Sequence, residues 1–228
     1  MKSEVVKQFK YLDIITVMFV AILLISNVAA TKIISFGSLA SDAGIILFPL
    51  VYIFGDILTE VYGFKRSRRV IWLGFGANLL MALTLMIVNS LPPAPEWPFN
   101  EAWSNVLGMT PRIVLGSLSA YFAGEFVNSF ILAKMKILTK GKKLWSRTIG
   151  STVFGQLVDT VVMVFVAFYG VVPMKLLLSM IVTGYVLKCL VEILFTPVTY
   201  WVINFLKKKE HEDYYDYKTN FNPFLLKQ

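Results

Sequence analysis

The chain has 228 residues, of which 57% are hydrophobic and only 16% are charged, and its formal net charge is +8. An average soluble domain is about 25% charged, so this composition is typical of a membrane protein. The single cysteine, Cys189, excludes an internal disulfide and a cysteine-cluster metal site. The only histidine, His211, lies in a polar C-terminal segment, which excludes histidine-based catalysis and most zinc chemistry inside the membrane.

Six apolar stretches are each long enough to cross a bilayer, because about 20 helical residues span a hydrocarbon core of roughly 30 Å. The predicted spans are residues 11–32, 42–62, 69–91, 111–133, 148–170 and 176–206. A proline-rich loop follows the third span, and a tail over 207–228 follows the last. The predicted fold is an all-α membrane protein, with one domain over 1–228 and six transmembrane helices in one bundle.

The distribution of Lys and Arg predicts the orientation. Eighteen of these residues lie in the N-terminal segment, the second and fourth loops and the tail, whereas the other three loops hold one each. Because basic loops remain in the cytoplasm, both termini and the tail are predicted to be cytoplasmic. The basic residues form no groove or stripe, so no nucleic-acid partner is expected despite the positive net charge.

Ionisable residues within the spans mark the predicted functional site. A charge at mid-depth costs about 2.5–3.5 kcal/mol even on lenient insertion scales. Interhelical hydrogen bonding explains single polar residues, but it does not require five carboxylates against one lysine. We therefore predict a polar midplane cavity for a small molecule, with no catalytic, metal or cofactor site. The candidate substrate-binding residues are Asn27, Asp56, Glu60, Glu125, Asn128, Gln156, Asp159, Lys188 and Glu192.

The helical rise of 1.5 Å per residue converts sequence position into depth. Asp159 lies about 16 Å from the inner end of its span and Lys188 about 18 Å from the outer end of the next, so both are near the midplane. An ion pair between them is predicted, with Glu192 one turn from Lys188. Two alternatives remain open: Glu60 is close enough to the surface to be solvated, and Asn27, Asn78 or Asn128 could each serve only as an interhelical hydrogen bond.

Small residues recur every four positions in two spans, at Gly116, Ala120 and Gly124 and at Ser151 and Gly155. This spacing predicts close helix approach, on a face that leads to the fifth-span carboxylate.

Pro49 and Pro197 are predicted to interrupt the second and sixth spans. Residues 54–58 (FGDIL) are similar to residues 154–158 (FGQLV), a likeness that fits a 3+3 inverted repeat.

Several motifs run along nearly the whole chain: ISNVAATK at 25–32, FP at 48–49, DILTEVYG at 56–63, LPPAP at 91–95, QLVDT at 156–160 and NPF at 222–224. They resemble the motifs of the queuosine precursor transporter family, formerly grouped as vitamin uptake transporters. The resemblance implies a multi-pass protein of the bacterial inner membrane that is not an enzyme. It implies import of 7-deazaguanines: 7-cyano-7-deazaguanine, 7-aminomethyl-7-deazaguanine or queuine, precursors salvaged for tRNA modification.

The candidate residues suit such a cargo. A guanine-like base presents N–H donors on one edge, and a carboxylate can accept two of them together. The carbonyl of the base needs a donor, which Lys188, Gln156 or an Asn amide supplies. The expected partners are a planar heterocycle and the lipid bilayer, and the sequence leaves open whether the unit is a monomer or a homodimer.

Two other functions are compatible with the sequence. The chain could be the substrate-capture subunit of an energy-coupling-factor importer for a vitamin-like heterocycle, since it contains no nucleotide-binding loop of its own. Asp56 and Asp159 could instead form the dyad of an intramembrane aspartyl protease. The Gly-x-Gly-Asp signature of those enzymes is incomplete here, because Ile53 stands where the first glycine belongs.

Overall fold

A computed structural model describes residues 9–29, 31–36, 39–107, 111–170, 173–217 and 219–225. Its elements, in chain order, are α1 (Leu12–Ala29), β1 (Ile33–Phe36), β2 (Leu39–Asp42), a 3-10 helix (Ala43–Ile46), α2 (Phe48–Tyr62), α3 (Phe64–Ser90), α4 (Asn100–Val106), α5 (Pro111–Leu138), α6 (Leu144–Phe168) and α7 (Met174–Glu210). Four lysines counted for the orientation, Lys2, Lys7, Lys218 and Lys227, lie outside the described residues.

Among the described residues, four helices are long and apolar enough to cross a membrane: α1, α3, α6 and α7. Large apolar side chains such as Leu80, Leu194 and Trp201 are exposed on α3 and α7, as expected where helices face lipid. The helix α2 has 15 residues, which corresponds to about 22 Å, and α5 is longer but carries several polar residues. The protein is thus a helical multi-pass membrane protein, while the count of six spans and the cytoplasmic termini stay predictions.

The second predicted span begins later than expected. Residues preceding it form an antiparallel hairpin, β1 with β2, and then the 3-10 helix, so α2 starts only at Phe48. Pro49 lies in the first turn of α2, where no intrahelical partner exists for an amide donor. The prediction that Pro49 interrupts this helix was therefore wrong, whereas Pro197 does lie inside α7.

The helices α5 and α6 make the most extensive contact of any two elements in the described part of the chain. A Cβ atom added at Gly124 would lie 2.6 Å from Cβ of Asp159, and one added at Gly155 would lie 2.8 Å from Cβ of Asn128. Both glycines therefore let the two backbones approach more closely than any other residue would. The close approach predicted from the small-residue spacing is confirmed, and it places Asp159 against Gly124 and Asn128 against Gly155.

We expect Gly124→Ala to destabilise the protein by about 1–3 kcal/mol, because the added methyl group overpacks the α5–α6 contact. The matched control is Gly76→Ala in α3, where an added Cβ meets no atom within 4 Å. That variant should be neutral or more stable by up to about 1 kcal/mol, since alanine favours helix. Equilibrium unfolding in mixed micelles measures both, and equal effects would contradict the packing described here.

The four basic segments of the chain meet at one end of the bundle, here called the basic end (residues 9–11, 61–72, 134–147 and 207–225). Glu210 at the end of α7 accepts hydrogen bonds from the backbone N–H groups of Lys10, at 3.0 Å, and Tyr11, at 2.6 Å. Asp216 accepts one from the backbone N–H of Phe64 at 3.0 Å. Which side of the membrane the basic end faces stays a prediction from the charge distribution.

The residues after α7 do not form a free tail but pack across the basic end. Arg68 donates to the backbone oxygens of Asn220 and Asn222 at 2.9 and 2.6 Å, and the indole N–H of Trp72 donates to the backbone oxygen of Pro223 at 2.8 Å. The ring of Tyr214 packs so closely on Gly63 that a Cβ there would clash. These contacts give the tail motif at 222–224 a structural role.

Candidate functional site

Four helices bring seven of the nine candidate residues to the interior. We call this set the central polar cluster, and its members are Asp56 of α2, Glu125 and Asn128 of α5, Gln156 and Asp159 of α6, and Lys188 and Glu192 of α7. All except Lys188 are buried, with at most 4% of the residue exposed. The carboxylate of Asp56 lies within electrostatic range of Glu192 and Glu125, and Glu125 lies within range of Asp159. The cluster thus joins residues more than 130 positions apart in the sequence.

Lys188 and Asp159 form the ion pair expected from their depths. The Nζ atom of Lys188 donates to Oδ2 of Asp159 at 2.6 Å, and the two side chains are 17% and 6% exposed. The predicted ion pair is therefore confirmed. It neutralises one carboxylate of the cluster in a region where an uncompensated charge would be costly.

Several buried acceptors of the cluster receive no hydrogen bond from any described residue. Both carboxylate oxygens of Glu192 are of this kind, as are Oε1 of Gln156, Oδ2 of Asp56 and Oε2 of Glu125. The other carboxylate oxygen of Asp56, Oδ1, accepts a hydrogen bond from the side-chain amide of Asn128 at 2.9 Å. A buried polar group without a partner costs about 1–3 kcal/mol, so these acceptors require a further partner, such as bound water, a ligand or a proton.

The structure adds residues that the sequence reasoning missed. Tyr52 of α2 is 2% exposed and lies within electrostatic range of Asp159, Glu125 and Glu192. The hydroxyl groups of Thr152 and Thr160 in α6 are also buried, and neither has a hydrogen-bond partner among the described residues. Each of the three lies four positions from a candidate residue in the same helix, a spacing that places side chains on one face and would have revealed them.

Asn27 lies apart from the central polar cluster. Its amide donates to Oδ1 of Asn78 at 2.6 Å, and its own Oδ1 accepts from the hydroxyl of Ser117 at 2.6 Å. These bonds join α1, α3 and α5. The alternative that Asn27 serves as an interhelical hydrogen bond is the one that its contacts favour.

Glu60 also lies apart, at the basic end, where it is fully buried and surrounded by cations. Its Oε1 atom lies 2.5 Å from Nη2 of Arg147, 2.6 Å from Nζ of Lys207 and 3.6 Å from Nζ of Lys136. The alternative that Glu60 is solvated was wrong, because the end of α7 and the tail cover a surface that the sequence alone leaves open. These contacts connect α2, α5, α6 and α7 in one network.

Asp213 of the tail completes this network. Its carboxylate accepts from Lys136 at 2.6 Å and lies 2.9 Å from Nζ of Lys207. Partial burial raises the pKa of Asp213, but hydrogen bonds from the two lysines outweigh this effect, and the pKa is held below its usual value. A depressed pKa means that the contribution of Asp213 to stability is present above the pKa of the unfolded carboxyl and is lost as the pH falls through the folded value.

The comparisons with known proteins agree with this architecture. Residues 42–202 match the family described as "Putative vitamin uptake transporter". The chain is 28% identical to the "Probable queuosine precursor transporter" of Bacillus subtilis (strain 168), over 77% of each chain. It is 24% identical to the "Queuosine precursor transporter" of Escherichia coli (strain K12), over 73% of this chain and 74% of the relative.

A third relative is the "Probable queuosine precursor transporter" of Haemophilus influenzae, with 23% identity over 58% of this chain and 54% of the relative. No solved structure matches the chain. All three relatives are named as transporters rather than enzymes, and the family match covers most of the chain. The chain therefore belongs to the vitamin uptake transporter family whose curated relatives are queuosine precursor transporters.

Proposed function

We propose that this transporter imports queuosine precursors across the bacterial plasma membrane and binds the 7-deazaguanine base in the central polar cluster. The observation that carries the proposal is the set of buried, unpartnered acceptors at Glu192 and Gln156, beside a cation at Lys188. The names of the relatives support the substrate class.

The proposed recognition pairs each polar edge of the base with a group of opposite character. The ring N–H and the exocyclic amine of the base donate to the two oxygens of Glu192, and Oε1 of Gln156 offers a further acceptor. The carbonyl oxygen of the base accepts from Lys188. A base with a different donor pattern would leave these buried groups unpaired, which provides discrimination.

Uptake by the purified chain alone tests the proposal. Proteoliposomes that contain only this protein should take up labelled 7-cyano-7-deazaguanine, and unlabelled 7-aminomethyl-7-deazaguanine or queuine should compete, whereas adenine should not. Uptake that required added ATPase subunits would instead favour a capture subunit of an energy-coupling-factor importer. Binding of none of the three 7-deazaguanines would refute the proposed substrate class.

We expect carboxylate-to-amide substitution in the cluster to weaken base binding. The amide turns one acceptor into a donor that faces the donors of the base, and loss of charged hydrogen bonds costs about 1.5–3 kcal/mol, or about 10- to 100-fold in Kd. Glu192→Gln should show this effect most clearly, and Asp159→Asn and Asp56→Asn test the other two carboxylates.

Calorimetry with 7-cyano-7-deazaguanine measures the affinity, and Glu101→Gln, an exposed position in α4, is the matched control. If all three cluster variants bound the base as tightly as the parent protein, the proposed recognition would be wrong even if transport were observed.

A further inference from the structure

The central polar cluster contains more negative charge than its cations can balance. It holds four carboxylates, Asp56, Glu125, Asp159 and Glu192, but Lys188 is the only basic residue in the middle of any span. Lys188 binds Asp159, and the buried cations of the basic end surround Glu60. In the described part of the chain, the other three carboxylates thus share a buried region and form no ion pair.

The groups that face Asp56 are mostly acidic or neutral. From α5 the amide of Asn128 donates to it, and Glu125 lies in electrostatic range. From α7 it faces Glu192, and along its own helix it faces Glu60, whose charge is already neutralised. None of these contacts places a cation on Asp56.

The contacts described for Glu125 also include no cation. Its Oε1 atom lies 3.4 Å from the hydroxyl of Ser129, a weak hydrogen bond, and its side chain lies against Gly55 of α2. The charged groups within electrostatic range of Glu125 are Asp56 of α2, Asp159 of α6 and Glu192 of α7.

Two tyrosines also lie within electrostatic range of Glu125: Tyr52 of α2 and Tyr121 of α5. From α7, Cys189 lies within electrostatic range of Glu192, and Lys188 is one helical turn from Glu192.

Buried carboxylates in this arrangement need either a bound metal cation or protons. Ionising all three would place like charges side by side in a low dielectric, at a cost of several kcal/mol for each uncompensated charge. Within the described residues no group of three His, Cys, Asp or Glu side chains is positioned to hold a metal ion. A proton needs only one carboxylate oxygen and no set of several ligands, so protons fit these separate side chains, as in the carboxylate relays of membrane transporters.

We propose that Asp56 and Glu125 bind protons that enter the cell together with the substrate, so that the proton gradient drives import. This inference rests on the proposed function. A proton from the outer solution binds an oxygen of each carboxylate and removes its negative charge, and the same proton dissociates into the cytoplasm after the substrate has left. Neutral Asp56 and Glu125 repel Glu192 less, so Glu192 stays ionised and accepts the donors of the base.

This arrangement couples the two binding events through free energy. Protons on Asp56 and Glu125 tighten substrate binding, and by thermodynamic reciprocity substrate binding must promote proton uptake. Glu192 connects the two sites because it lies in electrostatic range of Asp56 and Glu125 and has two unpartnered oxygens.

The first test measures the protons directly. Infrared spectra of the substrate-free protein near neutral pH should contain the C=O stretching band of protonated carboxyl groups, and this band should decrease in Asp56→Asn and in Glu125→Gln. At a higher pH, where this band is partly lost, calorimetry of 7-cyano-7-deazaguanine binding in two buffers of different ionisation enthalpy should give net proton uptake. Absence of the band, or net proton release on binding, would overturn the inference.

The second test measures coupling with 7-cyano-7-deazaguanine, which is neutral and therefore reports only the charge carried with it. In proteoliposomes with the membrane potential clamped, one pH unit of gradient, acidic outside, should allow up to about tenfold accumulation per co-transported proton. In Glu125→Gln, which keeps one of the two proton sites, the ratio of uptake with and without the gradient should fall, and in Asp56→Asn/Glu125→Gln it should fall toward one, whatever the absolute rate. Glu101→Gln should retain the full ratio.

Gradient-independent uptake by the parent protein would overturn the inference while leaving the proposed function intact. Failure of counterflow exchange and of binding for every 7-deazaguanine would refute the proposed function, whereas the infrared result would still decide the protonation. Asp56→Asn provides a second variant if Glu125→Gln does not fold, and the parent protein alone is sufficient for the infrared and gradient measurements.

Discussion

Lys188→Met is expected to destabilise the protein by about 3–5 kcal/mol, the range found when one partner of a buried ion pair is removed. The variant leaves Asp159 without its cation in a region that holds three other carboxylates. Asp159→Asn should also destabilise, but less, because Glu192 lies one turn from Lys188 and offers another anion. The double variant should be more stable than either single variant, since a neutral pair requires no charge compensation.

A double-mutant cycle based on unfolding in mixed micelles measures the coupling. Lys175→Met is the matched control, because Lys175 is exposed near the start of the same helix, and its replacement should change stability by no more than about 0.5 kcal/mol. Simple additivity of the two cluster substitutions would show that Asp159 and Lys188 do not stabilise each other.

Glu60→Gln is expected to destabilise the basic end by a similar amount, about 3–5 kcal/mol. Arg147 is fully buried, and without Glu60 its remaining contacts are to the neutral oxygens of Thr139 and Lys142. Lys136 and Lys207 would keep only Asp213 as a common anion. The double variant Glu60→Gln/Arg147→Met should recover part of the loss, because it removes the buried cation together with the anion.

Hydrogen exchange at residues 207–217 measures whether the loss is local to the basic end, and unfolding in mixed micelles gives its size. Arg69→Met is the control, since Arg69 is exposed at the same end of the bundle. A Glu60→Gln protein that kept the stability of the parent but lost affinity for the base would instead assign Glu60 to the substrate site, as the sequence suggested.

The Asp159–Lys188 pair could be predicted from the sequence because helix rise is constant. Once the charge distribution fixes the direction of each span, a residue number gives a depth, and residues of equal depth on consecutive helices meet. The α5–α6 contact was predictable for a similar reason, since small residues four positions apart form one face of a helix. Neither inference needs a side-chain conformation.

Glu60 shows where this reasoning stops. Its depth along the membrane places Glu60 near a surface. The two lysines and one arginine that cover it belong to α5, α6 and α7 and lie 76 to 147 positions away in the sequence. The hairpin β1–β2 and the folded tail were not predicted either, because segments this short have no periodic pattern that distinguishes a free loop from a packed one. Asn27 could not be separated from the cluster residues, since one-dimensional depth does not say which helix face meets which neighbour.

The sequence by itself determined that the protein is a helical, multi-pass membrane protein with an acidic interior, because transfer of charge into a bilayer is costly and hydrophobic length is easily counted. Only the tertiary structure decided which acids remain without a cation. Whether an acid has a cation depends on how the helices rotate and pack. Their packing places Arg147 on Glu60 at the basic end and pairs Asp159 with Lys188. Asp56, Glu125 and Glu192 keep buried oxygens that have no hydrogen-bond partner among the described residues, which is why we propose that they bind substrate or protons.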